Sequence, residues 1–141
     1  MILDDWELQQ CVIQGHLFEK VVASNRDSKK FVKAFMNSDV AKHLDYPYDS
    51  LQWMGEAYIF DALLDEVDLE TVYIEDGDNL KEVMFWMGYI YRYWHFYTGE
   101  SSAEIYKQAD YDIMLQTYYG YHTLDPRMVV DRYNEAINNK S

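Results

Sequence analysis

Met84-Phe-Trp-Met-Gly-Tyr-Ile-Tyr-Arg-Tyr-Trp-His-Phe-Tyr97 is the stretch on which the fold turns. It is apolar or aromatic at nearly every position, and Arg92 is its one formal charge. A helix that is hydrophobic all round must be covered by neighbours on every side. The stretch therefore predicts a buried central helix over about 80–97, with other helices packed around it. Asn79 and Glu82 predict its start, as a cap and its reciprocal partner. Thr98-Gly99 predicts its end, glycine being favoured just past a helix. Gly88, with no side chain, lets a neighbouring helix come close.

Working outward, the chain reads as helices throughout. Upstream, residues 4–23 place Trp6, Ile13, Leu17 and Val21 along one face, and Asn25 and Asp27 break that helix. Asp27 caps a short helix at Ser28, carrying Phe31, Phe35 and Met36. After a kink at Asn37-Ser38 come Val40 and Leu44, and Tyr46-Pro47-Tyr48 makes a turn. Asp49 with Gln52 resembles a capping box, opening a helix whose stripe is Leu51, Met54, Gly55, Tyr58, Ile59, Ala62 and Leu63. Residues 67–78 read as a long acidic loop, in which Thr71-Val-Tyr-Ile74 could be briefly extended. Downstream, Ser101 with Glu104 caps a helix to about Gln108, and another covers 111–119. Asp125-Pro126 starts the last helix, with proline at its favoured first position, and Asn138 to Ser141 is a frayed tail.

Two prolines and six glycines in 141 residues leave few breakers. The expectation is a single all-α domain over 1–141, a compact bundle of about six to seven helices. A weak internal echo runs through it. Ser28-Lys-Lys-Phe-Val-Lys-Ala-Phe, Val40 and Ala57-Tyr-Ile-Phe-Asp61 parallel Ser102-Ala-Glu-Ile-Tyr-Lys-Gln-Ala, Met114 and Arg127-Met-Val-Val-Asp131, which raises an internal duplication.

Composition narrows the function classes. Acidic residues number 25 against 12 basic ones, a net charge of −13. That surface repels phosphate backbones, so direct nucleic-acid binding is not expected. It would attract a basic protein, mimic nucleic acid, or simply keep the chain in solution. Aromatic residues make up 17% of the chain, which suits packed cores and protein interfaces alike. The lone Cys11 allows no intrachain disulfide and reads as a small core residue. The start Met-Ile-Leu-Asp-Asp lacks a basic, then apolar leader, and no run of uncharged apolar residues is long enough to span a membrane. The chain is expected in the cytoplasm.

Candidate chemistry is thin. His16, His43, His95 and His122 have no helical i, i+3 or i, i+4 pairing, so no metal is expected, and His95 reads as a core histidine. Arg92, buried in an aromatic helix, needs a carboxylate; Glu56 is the expected partner of a structural ion pair, with Asp61 and Glu100 behind it. Asp76-Gly-Asp78 lacks the acidic spacing of a calcium loop. Thr98 to Tyr106 resembles a helix-turn-helix corner, but the following helix offers Glu104, Asp110 and Asp112 where base-reading side chains would be needed. Lys20, Arg26, Lys29, Lys30 and Lys33 form one basic cluster, read as a solvated face. No phosphate loop, nucleophile elbow or Cys–His pair appears. The residues carry no catalytic set and no cofactor site.

Phe35-Met-Asn-Ser-Asp-Val-Ala, Gln52-Trp-Met-Gly-Glu-Ala-Tyr58 and Gly88-Tyr-Ile-Tyr-Arg-Tyr-Trp-His-Phe-Tyr-Thr-Gly-Glu-Ser-Ser102 resemble, in this order, a family of small uncharacterised bacterial helical proteins. The echoed Ser-x-x-x-Ile-Tyr and Phe-x-x-Ser-Asp-Val units are similar to a second such family. Both resemblances imply components of toxin–antitoxin operons, which act by binding a protein. They carry over no catalytic residues, and Tyr118-Tyr-Gly-Tyr-His122 departs from the family pattern.

The functional expectation is a non-enzymatic module, an antitoxin-like protein that occludes a cognate toxin. The expected contact zone is the acidic segment 61–78, with Asp61, Asp65, Glu66, Asp68, Glu70 and Glu75, together with exposed Tyr and Trp rings. A homodimer is allowed. The alternatives are an acidic nucleic-acid mimic that inhibits a nuclease, and an enzyme built on Arg92, His95 and Glu56 lining an open pocket.

Overall fold

Asp4 and Glu7 close a reciprocal cap, each side chain accepting the other's backbone N–H at 2.8 and 3.0 Å, and helix α1 (Asp5–Ala23) follows. A computed structural model describes residues 2–138 of the chain. The same economy of caps starts most other helices. Asp27 accepts from the Lys30 amide to open α2 (Ser28–Met36). Ser38 accepts from the Ala41 amide to open α3 (Asp39–Asp45), so the predicted kink at Asn37-Ser38 is a complete helix break. After α4 (Gly55–Glu66) and α5 (Gly77–Thr98), Ser101 and Glu104 form the predicted capping box of α6 (Ser102–Gln108). Asp110 caps α7 (Tyr111–Tyr121), and Pro126 opens α8 (Pro126–Asn138).

The described residues thus form eight α-helices and no strand, where six to seven helices were expected; the break at Ser38 accounts for the larger count. None of these helices is long and apolar enough to cross a membrane. Asn138 closes α8, and the rest of the predicted frayed tail lies outside the described residues.

Two helix starts fall elsewhere than the spacing predicts. Asp49 caps only a 3-10 turn, Ser50–Trp53, and Gln52 does not reach back to it. Instead the Gln52 amide donates to the carbonyls of Leu44 and Tyr46 at 2.9 and 2.8 Å, closing the α3 end. Gly55 then takes a φ of +79°, a left-handed conformation that breaks the stripe at the first residue of α4. As a result Ile59, Phe60 and Leu63 are buried, whereas Met54 and Tyr58 face solvent. Helix α5 begins at Gly77, not at Asn79, because Asp76 sits at φ 54° and turns the chain directly into the helix.

No residue from 83 to 97 is exposed, and α5 touches α1, α6, α7 and α8. Its closest approach is to α1. A Cβ on Gly88 would lie 2.5 Å from the Gln14 carbonyl oxygen, and one on Gly15 would lie 2.7 Å from the Phe85 ring. Only glycine permits both approaches. Around this seam Phe18 meets Phe31 and Phe35 edge-on at 5.1 and 5.5 Å, and Trp94 stacks on Tyr133 at 5.5 Å. Cys11 is fully buried in the same core, and burial pushes its thiol pKa up to about 12.

The helices recur in one order: a long helix, two short ones and a longer one, first as α1–α4 and again as α5–α8. Contacts recur with them. Helix α1 packs on α2 and α4 as α5 packs on α6 and α8, while α2 meets α7 and α3 meets α6.

Candidate functional site

Arg92 shows what a buried charge requires. The residue is 2% exposed, and its partner is Asp45, at 2.7 Å from Nη1 to Oδ1. Its Nε donates to Gln14 Oε1 at 2.8 Å, and weaker bonds reach the Leu44 carbonyl and Ser102 Oγ, both at 3.4 Å. Asp45 is satisfied in turn by Ser102, whose amide and hydroxyl donate to it at 2.8 and 2.7 Å. Helix α3 thus ends against the start of α6, and a guanidinium fills the junction.

The expected Arg92–Glu56 pair is not formed. Because α4 starts at the bend at Gly55, Glu56 is half-buried in its first turn and lines a surface depression with His16, Glu19 and Lys20. The fallback partners are also elsewhere: Asp61 is exposed, and Glu100 accepts from the Trp94 indole at 3.0 Å and from Gln108. Arg92, His95 and Glu56 therefore do not share a pocket.

His95 does lie beside the pair. Its Nδ1 is 2.7 Å from the Glu100 carbonyl and 3.7 Å from Asp45 Oδ1. A carbonyl can only accept, so Nδ1 carries the proton. Burial, and then the Arg92 charge, hold the imidazole pKa below its usual value. Among the described residues no group of three or more His, Cys, Asp or Glu is placed to hold a metal ion.

The acidic segment is pinned by its apolar residues and presents its carboxylates outward. Leu69 is buried, its carbonyl accepts from the Arg26 guanidinium, and the Val72 amide donates to the Asn25 carbonyl at 2.7 Å. A single antiparallel bridge joins Arg26 to Thr71, within the stretch expected to be briefly extended. Arg26 thus serves the fold, although the sequence placed it in a solvated basic face. Asp61, Asp65, Asp68, Glu70 and Glu75 are exposed, and Tyr73 in the same segment has 92% of its surface open. Glu66 differs. Its carboxylate accepts from the amides of Asp39 and Val40 at 2.9 and 3.2 Å, holding α4 to the first turn of α3.

No protein-family model, curated protein or solved structure matches the chain.

A second exposed aromatic surface was not singled out from the sequence. Trp53 is 67% exposed and packs against Trp6 with ring centroids 4.4 Å apart. Tyr46 and Tyr48 stand beside the same turn at 60% and 89% exposure. The available signal was three rings crowded around Pro47 and Asp49, in a stretch too short for any of them to be buried by its own helix. A cavity of about 200 Å³ opens there, lined by residues of the α1 start, the α3–α4 connection and the α5 end.

Proposed function

We propose that this chain is a non-enzymatic, antitoxin-like protein of the cytoplasm that neutralises a cognate toxin by covering its basic cleft. The observation that carries the reading is the segment 61–78: its backbone is anchored at Leu69 and Val72, while five carboxylates and the Tyr73 ring of the same segment are exposed. Such a surface needs little ordering on binding, its charge steers a basic partner, and the ring supplies an anchor. The family resemblance of the Gly88–Ser102 string points the same way. Within this reading α5 is the central aromatic helix, supported by the absence of exposed residues from 83 to 97. The repeated helix order supports an internal duplication.

The test is co-expression with the adjacent gene product, then sizing of the purified material by light scattering. A stoichiometric complex that relieves toxicity is expected, and reversing Asp65, Asp68, Glu70 and Glu75 to lysine should slow association by about tenfold or more. No complex, or an unchanged association rate, overturns the reading.

The net charge of −13, with Asp61, Asp65, Asp68 and Glu70 all exposed, favours one second reading: an acidic nucleic-acid mimic inhibiting a nuclease. Inhibition relieved competitively by duplex DNA would identify it.

A further inference from the structure

The cavity at the exposed aromatic surface has a chemistry of its own. Its rings are Trp6, Tyr48 and Phe96, and its carboxylates are Asp4, Glu7 and Asp45. Among the described residues no lysine or arginine lines it. At about 200 Å³ it is smaller than the ~300–1,000 Å³ typical of cofactor and drug pockets, and suits one long side chain.

The three carboxylates are not equivalent. Both oxygens of Asp45 are used by Arg92 and Ser102, so its charge is already compensated. Asp4 and Glu7 each spend one oxygen on the reciprocal cap of α1, through Oδ1 and Oε1. Their other oxygens have no protein partner among the described residues, and those two charges are open. His95, also in the lining, carries its proton on Nδ1, which donates to the Glu100 carbonyl. Aromatic faces and uncompensated carboxylates both complement one kind of group: a cation rich in N–H donors.

The two halves of the chain offer an internal comparison. With Ser28 aligned to Ser102, the positions of Asp4, Glu7 and Phe96 correspond to Asp78, Lys81 and Val22. Those three residues line a depression at the opposite end of the α1–α5 pair. There the chain supplies its own cation, Lys81, in the position of Glu7, and an aliphatic residue in the position of Phe96. In the aromatic cavity Asp4 and Glu7 have no cationic side chain beside them among the described residues.

The geometry points to a recognition pocket for an arginine side chain presented by a protein partner, held between Trp6 and Tyr48 with Asp4 and Glu7 as counter-charges. A guanidinium stacks on ring faces, forks its N–H groups to carboxylates and is weakly hydrated, which favours it over lysine here. The pocket shares no residue with the segment 61–78, so it stands whether or not that segment binds a toxin.

The test is an NMR titration of the full chain with N-acetyl-arginine amide, using the neutral isostere N-acetyl-citrulline amide as control. The arginine probe should shift the Trp6 indole N–H and the His95 ring, and the citrulline probe should not. Glu7→Gln keeps a capping-box residue, and Tyr48→Asn places a residue tolerant of the φ of 64° found there; each should weaken binding about three- to tenfold. Reversing Asp65 and Asp68 should leave the titration unchanged. Equal response to both probes, no response to either, or full binding by both variants overturns the assignment.

Discussion

Gln14 and Arg92 are joined across the α1–α5 seam by a bond of 2.8 Å, from Nε to Oε1, while the same glutamine amide donates to the Gly88 carbonyl at 3.0 Å. One side chain thus bridges the buried guanidinium and the point where the two helices come closest. The α1–α5 register and the Arg92–Asp45 pair are set together, and both are open to test.

Asp45→Ala removes the only carboxylate in direct contact with Arg92 among the described residues and leaves the guanidinium buried. A loss of about 3–5 kcal/mol is expected, read from the urea midpoint at unchanged slope. Arg92→Met with Asp45→Asn should be far milder, since a neutral replacement of both partners strands no charge. Equal losses in the two proteins would show that the pair is not the source.

Gly88→Ala and Gly120→Ala should move stability in opposite directions. The first places a Cβ 2.5 Å from the Gln14 carbonyl and forces α1 and α5 apart, costing about 1–3 kcal/mol or more. The second is on the exposed side of α7 with nothing within 4 Å, and should gain about 0.5–1 kcal/mol from helix propensity. Thermal melts of the two variants decide it.

His95 makes stability depend on pH with a definite sign. Its native pKa is depressed below 6.5 by burial and then by Arg92, so the unfolded chain binds the proton more readily. The stability it contributes is therefore complete above 6.5 and is lost as pH falls from there through the lowered native value. His95→Asn should remove that component of the slope in urea midpoints measured between about pH 7.5 and about pH 5.5. An unchanged slope in the variant would assign the dependence to other groups.

Neighbouring carboxylates on α4 should behave unlike one another. Glu66→Ala frees the amides of Asp39 and Val40, and should cost about 0.5–2 kcal/mol, as loss of a helix cap does. Asp65→Ala, exposed and without a hydrogen-bond or ion-pair partner among the described residues, should stay within about 0.5 kcal/mol. Denaturant titrations of the pair would separate the structural acid from the free one, and binding work on this surface should spare Glu66.

What could be read from the sequence was local. Asp27, Ser101 with Glu104, Gly99 and Pro126 each act within one turn of chain, so their side-chain types alone locate the helix ends. Gly88 was legible because only glycine tolerates so close a neighbour. The partner of Arg92 was not, since many acids are available and the choice depends on where α3 ends against α6. Gly55 and Asp76 misled for a related reason: each adopts a left-handed conformation that shifts a helix start, although the adjoining residues spell a plausible cap. The aromatic cavity draws on three separate parts of the chain, so no single window displays it.

The seam between α1 and α5 also has a bearing on how the chain acquires its structure. The face of α1 around Gly15 is covered by residues whose codons come much later, including Phe85 and Gly88. During synthesis, α1 to α4 must leave the ribosome with that face open to water, and the loop between the two helices has to close before either is covered. Assembly is therefore withheld until the second half is present. A fragment ending at residue 76 should bind hydrophobic dyes and lack fixed near-ultraviolet dichroism, and adding 77–138 in trans should restore both signals to those of the intact chain.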